Sequence, residues 1–323
     1  MLIPAYWAES KAHQLVDRKQ ITVRRFGWSH SSQADAQIKA DERLSEALKR
    51  IVSGESIPRR ERKHAYNGSV GVPIREEIVE QHGETIVTRN SYGARCLNTS
   101  NVLIADVDFI TSYSCRLSLL MVGLMMIFAF AAMWWTSSVW VGVVLGLFAV
   151  PFGNILAWSF HRSLLNSRGG VEEMACSRIR DFIAQNPNWN ARLYRTPLGI
   201  RMLVTHQLFS AKDPVVGECF TKIAADPVYA KMCQRQDCFR ARVSPKPWRI
   251  GIADRIRGGV WPVAENSMSE RRAWIDRYER ASQSHAACAF LESIGSGTIH
   301  PDVRQVVELH DRLCQSDAQL PIA

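Results

Sequence analysis

Two long apolar runs dominate the pattern of hydrophobic and polar positions. Residues 117–135 and 139–160 contain no charged side chain and are separated only by Thr136, Ser137 and Ser138. A helix of about 20 apolar residues, rising about 1.5 Å per residue, crosses the roughly 30 Å hydrocarbon layer of a bilayer. The pattern therefore predicts a two-helix transmembrane hairpin.

Outside the hairpin, some shorter segments have the hydrophobic period of a helix and others have that of a strand. The predicted helices cover 35–52, 171–185, 215–225, 227–235, 270–294 and 302–314. The predicted strands cover 77–81, 85–89, 93–97, 102–109, 191–196, 200–206 and 238–243. Residues 1–33 show no clear period and receive no assignment, and 56–64 form a predicted basic loop.

These elements predict an α+β cytoplasmic domain with an inserted transmembrane hairpin. Residues 1–116 form an N-terminal part that ends in an acidic strand, 117–160 form the hairpin, and 161–323 form a C-terminal part. If strands from both sides of the hairpin share one sheet, the two polar parts make a single domain.

The distribution of charged residues predicts where the protein lies in the cell. The chain has 40 Lys and Arg against 31 Asp and Glu, a net charge of +9 that suits an anionic membrane surface, a nucleic acid or a phosphorylated ligand. Arg116 precedes the hairpin, Arg162 and Arg168 follow it, and its connection is uncharged, so the positive-inside rule places both termini in the cytoplasm. No secretory signal precedes the hairpin, and an inner (cytoplasmic) membrane location is expected.

Eight cysteines are scattered along the polar parts and the hairpin entry. In a cytoplasmic setting they are expected to be reduced thiols. Cys233 and Cys238 are close in sequence but lack a second pair at finger-like spacing, so a zinc site there is not favoured.

An acidic pair closes the apolar run 102–109. Alternate residues of a strand share a face, so Asp106 and Asp108 project together. Two such carboxylates can bind Mg²⁺ or Mn²⁺ and stabilise charge in phosphoryl or nucleotidyl transfer. The alternative is that they form a solvated strand edge or cap a loop.

Six basic residues that follow the hairpin in the sequence could bind phosphate groups. They are Arg195, Arg201, Arg240, Arg242, Lys246 and Arg249. The alternative is that these cations pair with the acids of the chain or face the membrane surface. His206 could orient a ligand or act as a base, or be structural, and Trp248 could stack on a base or anchor the core.

The sequences YRTPLGIRMLVTH and CFRARVSPKPWR resemble a group of uncharacterised bacterial membrane proteins with YRT-x-x-G-x-R and PKPWR patterns. Together with VLIADVDF they are distantly similar to the archaeo-eukaryotic primase and polymerase superfamily. That resemblance implies that Asp106 and Asp108 bind the catalytic metal and that His206 contacts the nucleotide. Arg201, however, lies nearer the position where that superfamily places its histidine, and a third acid is not identified, Asp254 being a candidate.

The predicted function is an integral membrane protein whose cytoplasmic module binds a metal and a phosphorylated or nucleic-acid ligand, with primase-like nucleotidyl transfer as the reaction. Its catalytic residues would be Asp106, Asp108 and His206, and its partners membrane lipid and a nucleotide or nucleic acid. One alternative is a membrane-associated glycosyltransferase, although no Gln-x-x-Arg-Trp pattern follows the hairpin. The other is a non-catalytic membrane scaffold.

Overall fold

The computed structural model describes residues 3–16, 19–61 and 72–323. They divide into two compact units. The larger unit comprises Met1–Val107, Phe182–Pro197 and Arg201–Ala323, and the smaller comprises Asp108–Asp181 and Leu198–Ile200. The larger unit therefore takes residues from both sides of the apolar runs.

The N-terminal region, which the sequence left unassigned, is a β-hairpin covered by a helix. Strands β1 (Tyr6–Val16) and β2 (Lys19–Ser29) are antiparallel, and helix α1 is Gln33–Val52. Helix α1 is capped by Ser32, whose Oγ accepts the Asp35 N–H at 3.1 Å, so the helix begins two residues before its predicted start at Asp35. A Cβ on Gly27 would lie 2.1 Å from the Ala36 carbonyl oxygen, so glycine lets the strand approach α1 closely.

The second sheet has the order β3-β4-β5-β9. Its strands are β3 (Glu77–His82), β4 (Thr85–Arg89), β5 (Arg95–Thr99) and β9 (Phe239–Arg242). The prediction for 85–89 is confirmed at both ends, whereas the strand predicted at 93–97 begins two residues later because Asn90 to Ala94 close a turn. Of the predicted basic loop, residues 62–64 lie outside the described residues.

The third sheet has the order β10-β7-β8-β6 and contains the acidic strand. Its members are β6 (Ile104–Asp108), β7 (Ala191–Thr196), β8 (Gly199–Val204) and β10 (Ala289–Ile294). Strands β7 and β8 follow one another through a two-residue turn at 197–198, as predicted for a hairpin. Because every residue of β8 is buried, this sheet forms part of the core of the larger unit.

The helix predicted over 270–294 is wrong in its second half. Helix α7 is Met268–Ser282, and the chain then forms β10, which pairs antiparallel with β7 so that Phe290 lies opposite Tyr194. Sheet pairing and this aromatic contact, with ring centroids 5.8 Å apart, override the local helical pattern.

The remaining helices of the polar parts lie close to their predicted bounds. They are α4 (Gly170–Gln185), α5 (Pro214–Lys222), α6 (Pro227–Gln236) and α8 (Pro301–Cys314). Proline opens α5, α6 and α8, where its missing N–H and fixed φ cost nothing.

The apolar runs form two helices of the smaller unit. Helix α2 is Cys115–Thr136 and helix α3 is Val139–Ser167, so α3 continues seven residues past the predicted end at Phe160. Both are long and apolar enough to cross a membrane. In the most apolar 18-residue segment of each helix, only 6% of α2 and 11% of α3 is buried. Their outward faces are therefore apolar, unlike the helices of a soluble core.

Small residues line the contact between α2 and α3. A Cβ on Gly153 would lie 2.7 Å from Val122 Cγ2 and 2.8 Å from Val122 Cα, so the helices meet closely there. Beside it, Ser118 Oγ donates to Asn154 Oδ1 at 2.6 Å, and Tyr113 Oη donates to the same oxygen at 3.3 Å. Close packing of small residues and hydrogen bonds between helices are the forces that hold apolar helix pairs together in lipid.

Candidate functional site

Asp106, one of the predicted metal ligands, is ion-paired with Arg201. The two residues lie on β6 and β8, which are neighbours in the sheet. Arg201 Nε donates to Asp106 Oδ1 at 2.8 Å, and Nη2 donates to Oδ2 at 3.2 Å. Burial, the largest single influence, lowers the pKa of Arg201, but the charge and hydrogen bonds of Asp106 together with nearby Cys288 and Cys314 raise it overall, so the guanidinium stays protonated.

The same guanidinium ties three elements of the larger unit together. Arg201 Nη1 donates to the Arg242 carbonyl oxygen on β9 at 3.0 Å and lies 3.3 Å from His310 Nε2 on α8. Because only 3% of Arg201 is exposed, this side chain joins the two larger sheets and α8 from inside the core. It therefore does not belong to an open phosphate site.

Asp108 ends β6 and is exposed. Its strand alternates as expected, with Val107 fully buried between the two acids. A divalent ion at Asp106 would compete with the guanidinium for both carboxylate oxygens. Binding of Mg²⁺ or Mn²⁺ by Asp106 and Asp108, and a catalytic role for them, stay predictions.

His206 follows β8 and packs among aromatic rings. Its Nδ1 accepts the Asn190 N–H at 3.2 Å, and its ring centroid lies 5.1 Å from that of Trp189 and 5.4 Å from that of Phe209. Burial lowers the pKa of His206, so the ring is neutral near pH 7. These contacts suit a structural histidine, and its role as a base stays a prediction.

The six predicted phosphate contacts do not form one group. Arg240 is buried and donates to Glu76 Oε1 at 2.8 Å and to Asn98 Oδ1 at 2.8 Å. Arg195 lies on β7 opposite Ala289 and is exposed. With Arg201 in the core, Arg242, Lys246 and Arg249 remain as candidates.

Lys246 and Arg249 lie close to an exposed tryptophan in the sequence, and Arg249 interacts electrostatically with Arg242 and Tyr92. We call the surface formed by Tyr92, Arg242, Lys246, Trp248 and Arg249 the Trp248 patch. Trp248 lies in a short 3₁₀ helix after β9 and is 56% exposed. Lys246 Nζ lies 5.4 Å from its ring centroid, and the Tyr92 ring meets it edge-on at 5.3 Å. Because it is so exposed, Trp248 is not a core anchor.

The arginines of the Trp248 patch lack compensating acids. Within residues 3–16, 19–61 and 72–323, neither Arg242 nor Arg249 takes part in a salt bridge, and Arg249 Nη1 is a buried nitrogen with no hydrogen-bond acceptor. Burial, and then the nearby charge of Arg242, lower the pKa of Arg249. A bound anion would relieve both the unsatisfied donor and the repulsion between cations.

A second cluster, which the sequence did not predict, lies beside Arg201. Cys288, His310 and Cys314 are buried, and their sulfur and nitrogen ligand atoms all lie within 4.8 Å of one another. His310 and Cys314 are four residues apart on α8, so they share a helix face, and this spacing was the signal available in the sequence. Cys288 comes from the segment before β10 and could not be placed without the strand.

Comparison with known proteins gives no information about the function of these residues. No protein-family model, no curated protein and no solved structure matches the chain. The function therefore has to be inferred from the side chains of the chain itself.

Proposed function

We propose that the chain is a membrane-anchored protein whose polar unit binds a phosphorylated nucleotide. The anchor is the α2–α3 hairpin. Helix α2 has 22 residues and helix α3 has 29, which correspond to about 33 Å and about 43 Å of helix. Each is long enough to cross a hydrocarbon layer of about 30 Å. Exposed apolar surface along both helices supports lipid as their solvent.

The flanking residues support an orientation with both termini in the cytoplasm. Arg116 lies at the start of α2, and Arg162 and Arg168 lie at the far end of α3, whereas the connection at 137–138 carries no charge. Trp134, Trp135 and Trp140 near the connection are 79%, 90% and 78% exposed, and tryptophans of this kind settle at a membrane interface.

Fractionation of cells that produce the full chain tests the anchor. We expect the protein to sediment with membranes, to resist extraction by alkaline carbonate and to float with lipid vesicles after reconstitution. Recovery in the carbonate extract would show a peripheral or soluble protein and would contradict the proposal.

The single observation that carries the ligand proposal is the buried Arg249 Nη1, which has no acceptor and lies near the uncompensated charge of Arg242. Guanidinium groups bind phosphate through several parallel N–H bonds. The exposed Trp248 ring beside them offers a face on which a base can stack, which favours a nucleotide over inorganic phosphate.

Titration of the detergent-solubilised full chain with ATP tests the ligand proposal. We expect Arg249→Gln and Arg242→Gln each to weaken ATP binding by about tenfold, as loss of a charge-assisted hydrogen bond of about 1.5 kcal/mol implies. Trp248→Leu should weaken ATP binding more than binding of inorganic phosphate, whereas Trp248→Phe should retain most of the ATP affinity.

Arg272→Gln is the matched control, since Arg272 is exposed on α7 outside the Trp248 patch. It should leave the affinity unchanged. Equal loss in all three arginine variants would mean that net charge alone attracts the nucleotide, and no binding by the parent protein would exclude the ligand.

A further inference from the structure

Backbone pairing brings the thiols of the buried cluster together. The Ala287 N–H donates to the Cys314 carbonyl oxygen at 2.9 Å, and the Phe290 N–H donates to the Ser316 carbonyl oxygen at 3.1 Å. These bonds hold the start of β10 against the end of α8, so Cys288 faces the helix turn that carries His310 and Cys314. All three side chains are 0% exposed.

The spacing of the three donor atoms is that of metal ligands. His310 Nε2 lies 3.5 Å from Cys314 Sγ and 3.9 Å from Cys288 Sγ. In a tetrahedral site with Zn–N of about 2.0 Å and Zn–S of about 2.3 Å, nitrogen and sulfur ligands are roughly 3.6 Å apart. Both nitrogen–sulfur distances are within a few tenths of an ångström of this value, and the two sulfurs lie within 4.8 Å of each other.

The imidazole is oriented from behind by a carboxylate. His310 Nδ1 lies 2.9 Å from Asp311 Oδ1, and Arg192 Nη2 donates to Asp311 Oδ2 at 3.0 Å. With its proton on Nδ1, His310 accepts the Arg201 Nη1 N–H at Nε2, on the side of the ring where both sulfurs lie within 3.9 Å. A zinc ion bound to Nε2 would take the place of that hydrogen bond. A carboxylate that bonds the far nitrogen is the usual support of a metal-binding histidine.

Charge balance permits a cation at this place despite the neighbouring Arg201. A zinc ion with two thiolates and a neutral imidazole has no net charge, and Asp106 already neutralises the guanidinium 3.3 Å from His310 Nε2. Arginine N–H groups can also donate to thiolate sulfur. A site made of two thiolates and an imidazole binds zinc in preference to Mg²⁺ or Mn²⁺, which favour oxygen ligands.

We propose that Cys288, His310 and Cys314 bind a zinc ion that fastens the start of β10 to the end of α8. This site is separate from the Trp248 patch and from the predicted Asp106 and Asp108 site. An ion held by three side chains keeps one position for water or another small ligand. The buried position of the triad makes its main role the attachment of the C-terminal helix to the sheet.

Metal analysis of the parent protein tests the site without any variant. Full-length protein, purified in detergent without chelators, should contain about one zinc ion per chain, as a single triad implies. After exchange with cobalt, it should show thiolate-to-cobalt charge transfer in the near ultraviolet and the visible bands of tetrahedral Co²⁺. Folded protein that takes up neither metal, that contains copper instead, or that has a Cys288–Cys314 disulfide would overturn the proposal.

Ligand variants assign the metal to the triad. Cys314→Ser and His310→Gln should lose most of the bound zinc and weaken the thiolate bands. Cys219→Ser is the matched control, because Cys219 is equally buried but lies on α5, and it should keep the metal content of the parent. Zinc retained in both triad variants would place the ion elsewhere and overturn the assignment; if a variant does not fold, the cobalt spectrum of the parent decides.

Discussion

The hairpin and the polar unit place their charged and apolar side chains in opposite ways. In α2 and α3 the large apolar residues face outward, and the polar Asn154 lies at the helix contact. In the larger unit apolar residues fill the core, and the buried cations Arg201 and Arg271 have acidic partners. This difference is the one expected if, as proposed, lipid surrounds α2 and α3 and water surrounds the larger unit.

Removing the acid from a buried ion pair should have the largest effect. Asp106→Ala leaves the Arg201 guanidinium buried without its partner, and we expect a loss of about 3 kcal/mol in the free energy of unfolding. Urea unfolding of the detergent-solubilised chain measures this loss. The double variant Asp106→Ala/Arg201→Met should recover much of it; a double variant no more stable than Asp106→Ala would contradict the ion-pair explanation.

Widening the hairpin contact should have the next largest effect. Gly153→Leu drives a side chain into Val122, and we expect about 1–3 kcal/mol of destabilisation, the range typical of overpacking. The thermal unfolding temperature in detergent micelles should fall accordingly. Gly146→Leu on the same helix is the control, since a Cβ there meets nothing within 4 Å; equal losses in both variants would contradict the packing of α2 on α3.

The polar contact inside the hairpin should contribute less. Asn154→Leu removes the acceptor for Ser118 and Tyr113, and we expect about 1 kcal/mol of destabilisation, as for hydrogen bonds between membrane helices. The same thermal assay measures it, with Ser118→Ala expected to lose less because Tyr113 keeps its acceptor. A more stable Asn154→Leu protein would show that Asn154 serves another purpose than helix packing.

The smallest expected effect is the pH dependence of stability that His206 gives to the larger unit. Burial lowers the pKa of His206, so the unfolded chain binds the proton more readily than the folded protein. The stability that neutral His206 provides is therefore complete above about pH 6.5 and declines as the pH falls below that value. The stability difference between the parent and His206→Phe should change below pH 6.5 and stay constant above it; a difference that changes only at higher pH would contradict the sign.

Local patterns in the sequence predicted the hairpin and several strands well. Charge-free length alone located α2 and α3, and the strands at 85–89 and 191–196 have the predicted bounds. Residues 1–33 received no assignment because the apolar and polar residues of β1 do not alternate along the sequence. In β2 the alternation is present, with Ile21 and Val23 buried and Thr22 and Arg24 half-buried, and it was overlooked. Strand β10 was missed because its pairing with β7 involves residues about a hundred positions away.

The candidate sites depended even more on distant contacts. Arg201 was predicted to bind phosphate, yet its partner Asp106 lies 95 positions earlier and holds it in the core. Trp248 and the neighbouring basic residues were found because they are close in sequence. In the zinc triad, only the His310 and Cys314 spacing is local, and Cys288 arrives through the fold.

Chemical labelling from the two sides of the membrane tests the central claim most directly. All eight cysteines lie in the described ranges, and Cys115 alone is exposed, at the start of α2. A membrane-impermeant maleimide should label Cys115 in sealed inverted vesicles only. In the Cys115→Ser/Ser137→Cys protein it should label the hairpin connection in right-side-out vesicles only. Labelling of both positions from the same side would show that α2 does not cross the membrane.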